Sequence, residues 1–171
     1  MKKKKDIVES INDPDWDKDS FDGLEYHPSD DDSEYIDEDL EKRTRFYHRT
    51  VIETKGFFEP SDDLPLCLWA GISVVWDLEQ EVHEGVTCRQ FLADMASLCL
   101  EKYNKRKGLN VKFEHILRAN FYPGGFTKYY ITFAARESDS FDAPLVEYQA
   151  KAGRSAGKTY PILCRPSPTP K

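Results

Sequence analysis

The stretch Thr87–Phe121 reads TCRQFLADMASLCLEKYNKRKGLNVKFEHILRANF, and its hydrophobic period changes once, at Gly108. Before that glycine, Leu92, Met95, Ala96, Cys99 and Tyr103 recur at i, i+3, i+4, i+7 and i+11, with Phe91 and Leu98 widening the stripe. That is the period of an amphipathic helix. Thr87 and Gln90 have capping-box spacing at its start. Lys102, Lys105, Arg106 and Lys107 crowd its last turns, where cations suit the helix dipole, and Gly108 supplies the stop. After Gly108 the period falls to two. The odd positions from Val111 to Phe121 read Val, Phe, His, Leu, Ala, Phe, and the even ones Lys, Glu, Ile, Arg, Asn. Alternation of this length predicts a half-buried antiparallel strand whose odd residues, His115 and Leu117 among them, face the core.

Further strand patterns follow. Pro123-Gly124-Gly125 is a turn, and Phe126–Ala135 is a second strand with Tyr129, Ile131 and Phe133 on one face. The polar loop Glu137–Asp142 leads to a third strand, Leu145–Ala150. The loop Gly153–Gly157 leads to a fourth, Thr159–Cys164. Upstream of Thr87 the spacing of Ile36, Leu40, Phe46 and Tyr47 suggests a short helix. Val51–Phe58 reads as a strand ended by Pro60, and Leu66–Trp76 as a strand bent at Gly71. Strands, a helix, then a meander make an α+β domain in which one long helix packs on an antiparallel β-sheet, hiding both apolar surfaces at once.

Charge divides the chain. Residues 1–40 hold 15 Asp and Glu against 5 Lys, whereas the remainder holds 16 acids against 19 bases. An acidic segment with few apolar residues does not offset its chain entropy. Residues 1–44 are therefore expected to be a disordered acidic tail, 45–165 the domain, and 166–171 a C-terminal tail. Trp16, Phe21 and Tyr26 are scattered through the acids. The four cysteines, Cys67, Cys88, Cys99 and Cys164, form no C-x-x-C pair and sit in apolar runs. Such cysteines read as buried free thiols. No secretory leader pattern follows MKKKKD, and no apolar run reaches the roughly 20 residues of a membrane helix. Cytoplasm or nucleus is the expected compartment.

No residue set names a reaction, and a non-enzymatic role without a cofactor is expected. Gly153-Arg-Ser-Ala-Gly157-Lys158-Thr159 has three residues between its glycines where a phosphate-binding loop needs four, and a strand pattern follows instead of a helix. No two Cys or His residues have metal-ligand spacing. Cys99 and His115 form a nucleophile–base pair only if helix and sheet bring them together. Lys102–Lys107 with Arg118 and Lys128 read as a solvated helix end, with a clasp on the chain's own acidic tail as an alternative. Neither a membrane nor a nucleic acid is an expected partner.

Met95-Ala-Ser-Leu-Cys-Leu-Glu-Lys-Tyr-Asn104 resembles the helix signature of plant cystatins, roughly L-A-R-F-A-V-x-E-x-N. Val111–Asn120, Tyr129–Ala135 and Val146–Lys151 track the strands that follow in that family, and Lys55-Gly-Phe-Phe58 resembles a segment of the plant cystatin-related proteins of the cystatin/monellin superfamily. The resemblance covers about residues 87–165. It implies a cystatin-like fold and binding through two hairpin loops. The first-loop position reads Phe121-Tyr122-Pro123-Gly124-Gly125, without the family's Gln and Val. The second lies at Gly153, Arg154 and Lys158, without Pro-Trp. A non-catalytic module binding an unidentified protein partner is the first reading. The alternative is a cysteine protease inhibitor of the plant cystatin type with degenerate inhibitory loops, whose partner is a papain-like protease.

Overall fold

A computed structural model describes residues 16–32, 37–65 and 71–168. Its elements are α1 (Glu38–Thr54), β1 (Ser73–Val74), β2 (Glu81–His83), β3 (Val86–Thr87), α2 (Cys88–Lys107), β4 (Lys112–Tyr122), β5 (Thr127–Arg136), β6 (Val146–Ser155) and β7 (Lys158–Pro166). The fold is α+β. A five-stranded antiparallel sheet runs in the order β1-β4-β5-β6-β7, and α2 packs on it. The short β2–β3 hairpin precedes α2.

The helix that decides the fold lies where its period places it. The Thr87 hydroxyl accepts from the Gln90 amide at 3.2 Å, and Gly108 closes the helix at φ 65°. The Gln90 side chain runs forward along the helix, its Nε2 donating to Asp94 Oδ1 at 2.8 Å, and the reciprocal half of a capping box is not formed. Asn104 ties the last turn to the next strand. Its side chain donates to the Val111 carbonyl and accepts from the Val111 amide, both at 2.9 Å. Leu92, Met95, Ala96 and Cys99 are buried against Ile116, Ala119, Ile131, Phe133, Ala135, Tyr148, Ala150 and Cys164.

The first sheet strand departs from simple alternation. The β4–β5 register slips between Phe113 and His115, and again between Ile116 and Arg118. Each slip inserts one residue and reverses which parity faces the core. The buried series therefore runs Val111, Ile116, Ala119, while His115 and Leu117 are exposed. The placement of those two residues in the core is corrected accordingly.

The sheet is buried on its other face as well. Tyr130 and Leu163, facing away from α2, join Tyr47 of α1 with Phe57, Phe58, Leu64, Ile72 and Val74 in a second cluster. Asn120 of β4 holds the connector in place by donating to the carbonyls of Gly56 and Phe58, both at 2.9 Å. Tyr47 Oη accepts from the Ile72 amide at 2.6 Å and lies 3.0 Å from the Ile72 carbonyl. This packing explains a second correction. The strand predicted over Val51–Phe58 begins instead as the end of α1, which runs to Thr54 and closes at Lys55, φ 55°. Asp37 caps α1, and the i,i+4 ion pairs Asp39–Arg43, Glu41–Arg45 and Arg49–Glu53 support it. Of the strand predicted over Leu66–Trp76, residues 66–70 lie outside the described residues, Ser73–Val74 pairs with β4, and Trp76 is exposed.

Much of the predicted tail is ordered. Residues 1–15 and 33–36 lie outside the described residues. Trp16, however, is buried in the α2 core, and Asp17 N–H donates to the Ile162 carbonyl of β7 at 2.9 Å. The predicted domain start at residue 45 falls inside α1. The acids of residues 16–32 meet cations of the domain, Asp19 with Lys151, Asp22 with Lys55, and Asp31 with Arg45 and His48. At the other end β7 continues to Pro166, and Ser167 N–H donates to the Glu147 carbonyl. No helix among the described residues is long and apolar enough to cross a membrane.

Candidate partner-binding hairpin tips

The antiparallel order β4-β5-β6-β7 puts the β4–β5 and β6–β7 turns at the same end of the sheet. The first turn, residues 123–126, follows Tyr122 and is closed by Thr127 Oγ1 donating to the Gly124 carbonyl at 2.9 Å. The second is a two-residue turn, Ala156-Gly157, between the paired residues Ser155 and Lys158. Both turn residues have positive φ, 51° and 75°, the type I′ pattern that matches strand twist.

Phe126 joins the two tips. Its ring lies on Gly153, where an added Cβ would sit 2.1 Å from the ring, and 5.7 Å from the ring of Tyr160. Only a glycine in β6 leaves room for it. Tyr122 and Phe126 are 45% and 42% exposed, and Pro123, Gly124 and Gly125 are exposed between them. Phe121 is half-buried.

The second-loop residues separate. Gly153 is buried under Phe126, and Arg154 is folded back. The Arg154 guanidinium lies 4.9 Å over the Phe91 ring of α2, while Nη1 donates to Thr159 Oγ1 at 2.7 Å. Lys158 is exposed. Residue type alone assigns Phe126 to strand β5 and misses its part in the tip. The signal was an aromatic residue beside Gly-Gly with a lone strand glycine downstream, a pairing in which the ring covers the glycine. A cavity of about 230 Å³ lies beside this end, lined by Tyr122, Lys128, Tyr130, Ser20, Phe21 and Tyr47 among others.

Helix and sheet do not bring Cys99 and His115 together as a nucleophile–base pair. His115 is exposed, whereas Cys99 is fully buried and its thiol lies 3.5 Å from the Lys151 carbonyl. Burial pushes the Cys99 thiol up to about 12, and raises that of Cys164 further. Among the described residues no group of three or more His, Cys, Asp and Glu is placed to hold a metal ion. The basic set also divides. Lys102 is buried with its ammonium 4.8 Å from the Trp16 ring, and Arg118 lies 3.5 Å from Glu59 and 3.6 Å from Glu147.

No family model matches the chain, and no curated protein is significantly similar to it.

Proposed function

We propose that this protein is a non-catalytic, protein-binding module of cystatin-like fold that engages a partner through its paired hairpin tips. The observation that carries the reading is the seating of Phe126 on Gly153. It joins the two turns along one edge and leaves Tyr122, Pro123 and Phe126 exposed on it. Aromatic side chains on a preorganised edge lose little entropy on docking. The fold assignment is supported by the sheet order, which follows chain order with α2 inserted between β1 and β4, and by the helix signature at Met95–Asn104.

Inhibition of a papain-like protease is the second reading, favoured by the same alignment of two tips. Against it, Arg154 is tied to Thr159 and Phe91, and Lys158 would carry a charge into a protease cleft. Titrating papain with the purified protein separates the two. The expected result is no inhibition at nanomolar concentration, and nanomolar inhibition overturns the preference. The binding reading itself requires that Tyr122→Ala and Phe126→Ala, each still folded, abolish the capture of a partner that the wild type retains. Capture unaffected by both substitutions sinks it.

A further inference from the structure

Residues 16–22 lie on the domain in the manner of a bound peptide. Among the described residues, the one backbone hydrogen bond from this strap to the sheet is Asp17 N–H to the Ile162 carbonyl. Its other backbone bonds are local turns, Asp22 N–H to the Asp19 carbonyl and Leu24 N–H to the Phe21 carbonyl. Side chains make the attachment. At Asp17 the chain takes a left-handed bend, φ 67°, and crosses the edge of β7. Trp16 stays on the α2 side, buried with the Lys102 ammonium 4.8 Å from its ring. Asp19 and Phe21 fall on the opposite side.

There the sheet supplies a cationic slot. Asp19 is fully buried, with Oδ1 3.1 Å from Lys151 Nζ and Oδ2 3.6 Å from Arg165 Nη2. Tyr130 and Phe21 flank the Lys151 ammonium at 4.9 and 5.5 Å, and Phe57 lies 5.7 Å from the Arg165 guanidinium. Lys55 closes the end of the strap on Asp22 at 2.7 Å. Lys151 and Arg165 belong to the neighbouring strands β6 and β7, whose register places the two residues diagonally side by side. Without the carboxylate, the buried Lys151 ammonium and the partly exposed Arg165 guanidinium lose the anion between them. The slot therefore demands an acidic occupant, and the rings around it demand an aromatic one.

We infer that the β6–β7 face and the last turns of α2 form a binding site for extended segments of the pattern Trp-x-x-Asp-x-Phe, filled in cis by residues 16–22 and open to a partner segment of the same chemistry when the strap lifts. This site adjoins the hairpin tips, sharing Phe21 and Tyr130 with the cavity beside them, but does not depend on their role. The cis strap acts as a tethered competitor, at an effective concentration that a free segment must exceed.

The test uses the full chain carrying Trp16→Ala and Asp19→Asn, which removes two anchors of the strap. A fluorescein-labelled peptide of residues 14–24, PDWDKDSFDGL, is titrated by anisotropy. The expected result is saturable binding at least about tenfold tighter than to the wild-type chain, whose strap competes. Adding Lys151→Met, or replacing the peptide's own Asp19 with Asn, loses at least about tenfold, because each removes one partner of the buried ion pair. Absence of binding to the folded double variant, or binding indifferent to Lys151→Met, overturns the inference. Hydrogen exchange on the wild type is the second measurement. The Asp17 amide exchanging well before those of Ile131 and Phe133 shows the strap lifting by itself, and simultaneous exchange overturns the inference. Concentration-dependent dimerisation of the wild type that the peptide dissolves identifies the occupant as a second copy's strap and overturns the partner-segment assignment.

Discussion

Asp19 and Lys151 stand 132 residues apart in the chain and 3.1 Å apart in space, both buried, with side-chain exposures of 0% and 2%. Lys151 lies in β6 with its ammonium on the face away from α2, and burial pulls its pKa below the ordinary 10.5. Asp19 opposes that shift as its counter-charge. The pair explains how a segment acidic enough to read as disordered becomes part of the fold.

Removing Asp19 alone leaves an uncompensated buried cation. Asp19→Ala is expected to cost about 3–5 kcal/mol, and Asp19→Ala with Lys151→Met to recover most of that loss. Urea unfolding of the two variants checks it. Equal destabilisation of both would show that Lys151 does not need its partner.

Gly153→Ala pushes the Phe126 ring off the second hairpin. The ring stands at an exposed turn and swings into solvent, so the expected cost is about 1 kcal/mol, the worth of its aromatic contact with Tyr160. In a Phe126→Ala chain the same substitution is expected to be neutral or slightly stabilising, since a strand glycine is entropically unfavourable. Under the proposed function, Gly153→Ala is expected to abolish partner binding even where stability is nearly kept. A double-mutant cycle by urea unfolding tests the coupling.

Ala156 holds φ 51° in an exposed turn, a conformation that disfavours any residue with a Cβ. Ala156→Gly is therefore expected to stabilise the protein by about 1 kcal/mol. The measurement is the thermal midpoint, and a lowered midpoint counts against the type I′ assignment.

Cys99 and Cys164 are buried free thiols whose ionisation burial suppresses. A maleimide probe at neutral pH is expected to label half-buried Cys88 slowly, and Cys99 and Cys164 only after denaturant is added. Site-resolved mass spectrometry reads the order. Rapid native labelling of Cys99 would reopen the catalytic reading.

Alkaline stability follows from the same burial. Burial pushes the Cys99 thiol from its ordinary 9.0 up to about 12, and raises Cys164, Tyr130 and Tyr148 as well. For each, the unfolded state releases its proton first, so stability is full below the ordinary value and falls as pH rises through the gap. Lys151, being lowered, works the other way as pH approaches 10.5. The raised thiols and phenols, Cys99, Cys164, Tyr130 and Tyr148 among them, outnumber Lys151. The thermal midpoint is expected to decline above pH 9, with Cys99→Ala flattening the first part of the fall. A midpoint rising through that range contradicts the burial of these groups.

The sequence by itself determined α2, its Thr87 and Gly108 ends, the meander after it, and hence the α+β class. Those features rest on local period and capping, which a linear chain displays. It did not display the two bulges in β4, because a single inserted residue is visible only against the partner strand, and they turned His115 and Leu117 outward. It did not display the ordered strap either. Trp16, Asp19 and Phe21 look solvated among acids until β6 and β7 bring Lys151 and Arg165 beneath them. Of the candidate site, the turn residues Pro123–Gly125 were legible from their chemistry. The seating of Phe126 on Gly153 was decided only by the tertiary structure, because it depends on strands β5 and β6 lying side by side, a proximity that sequence spacing does not record.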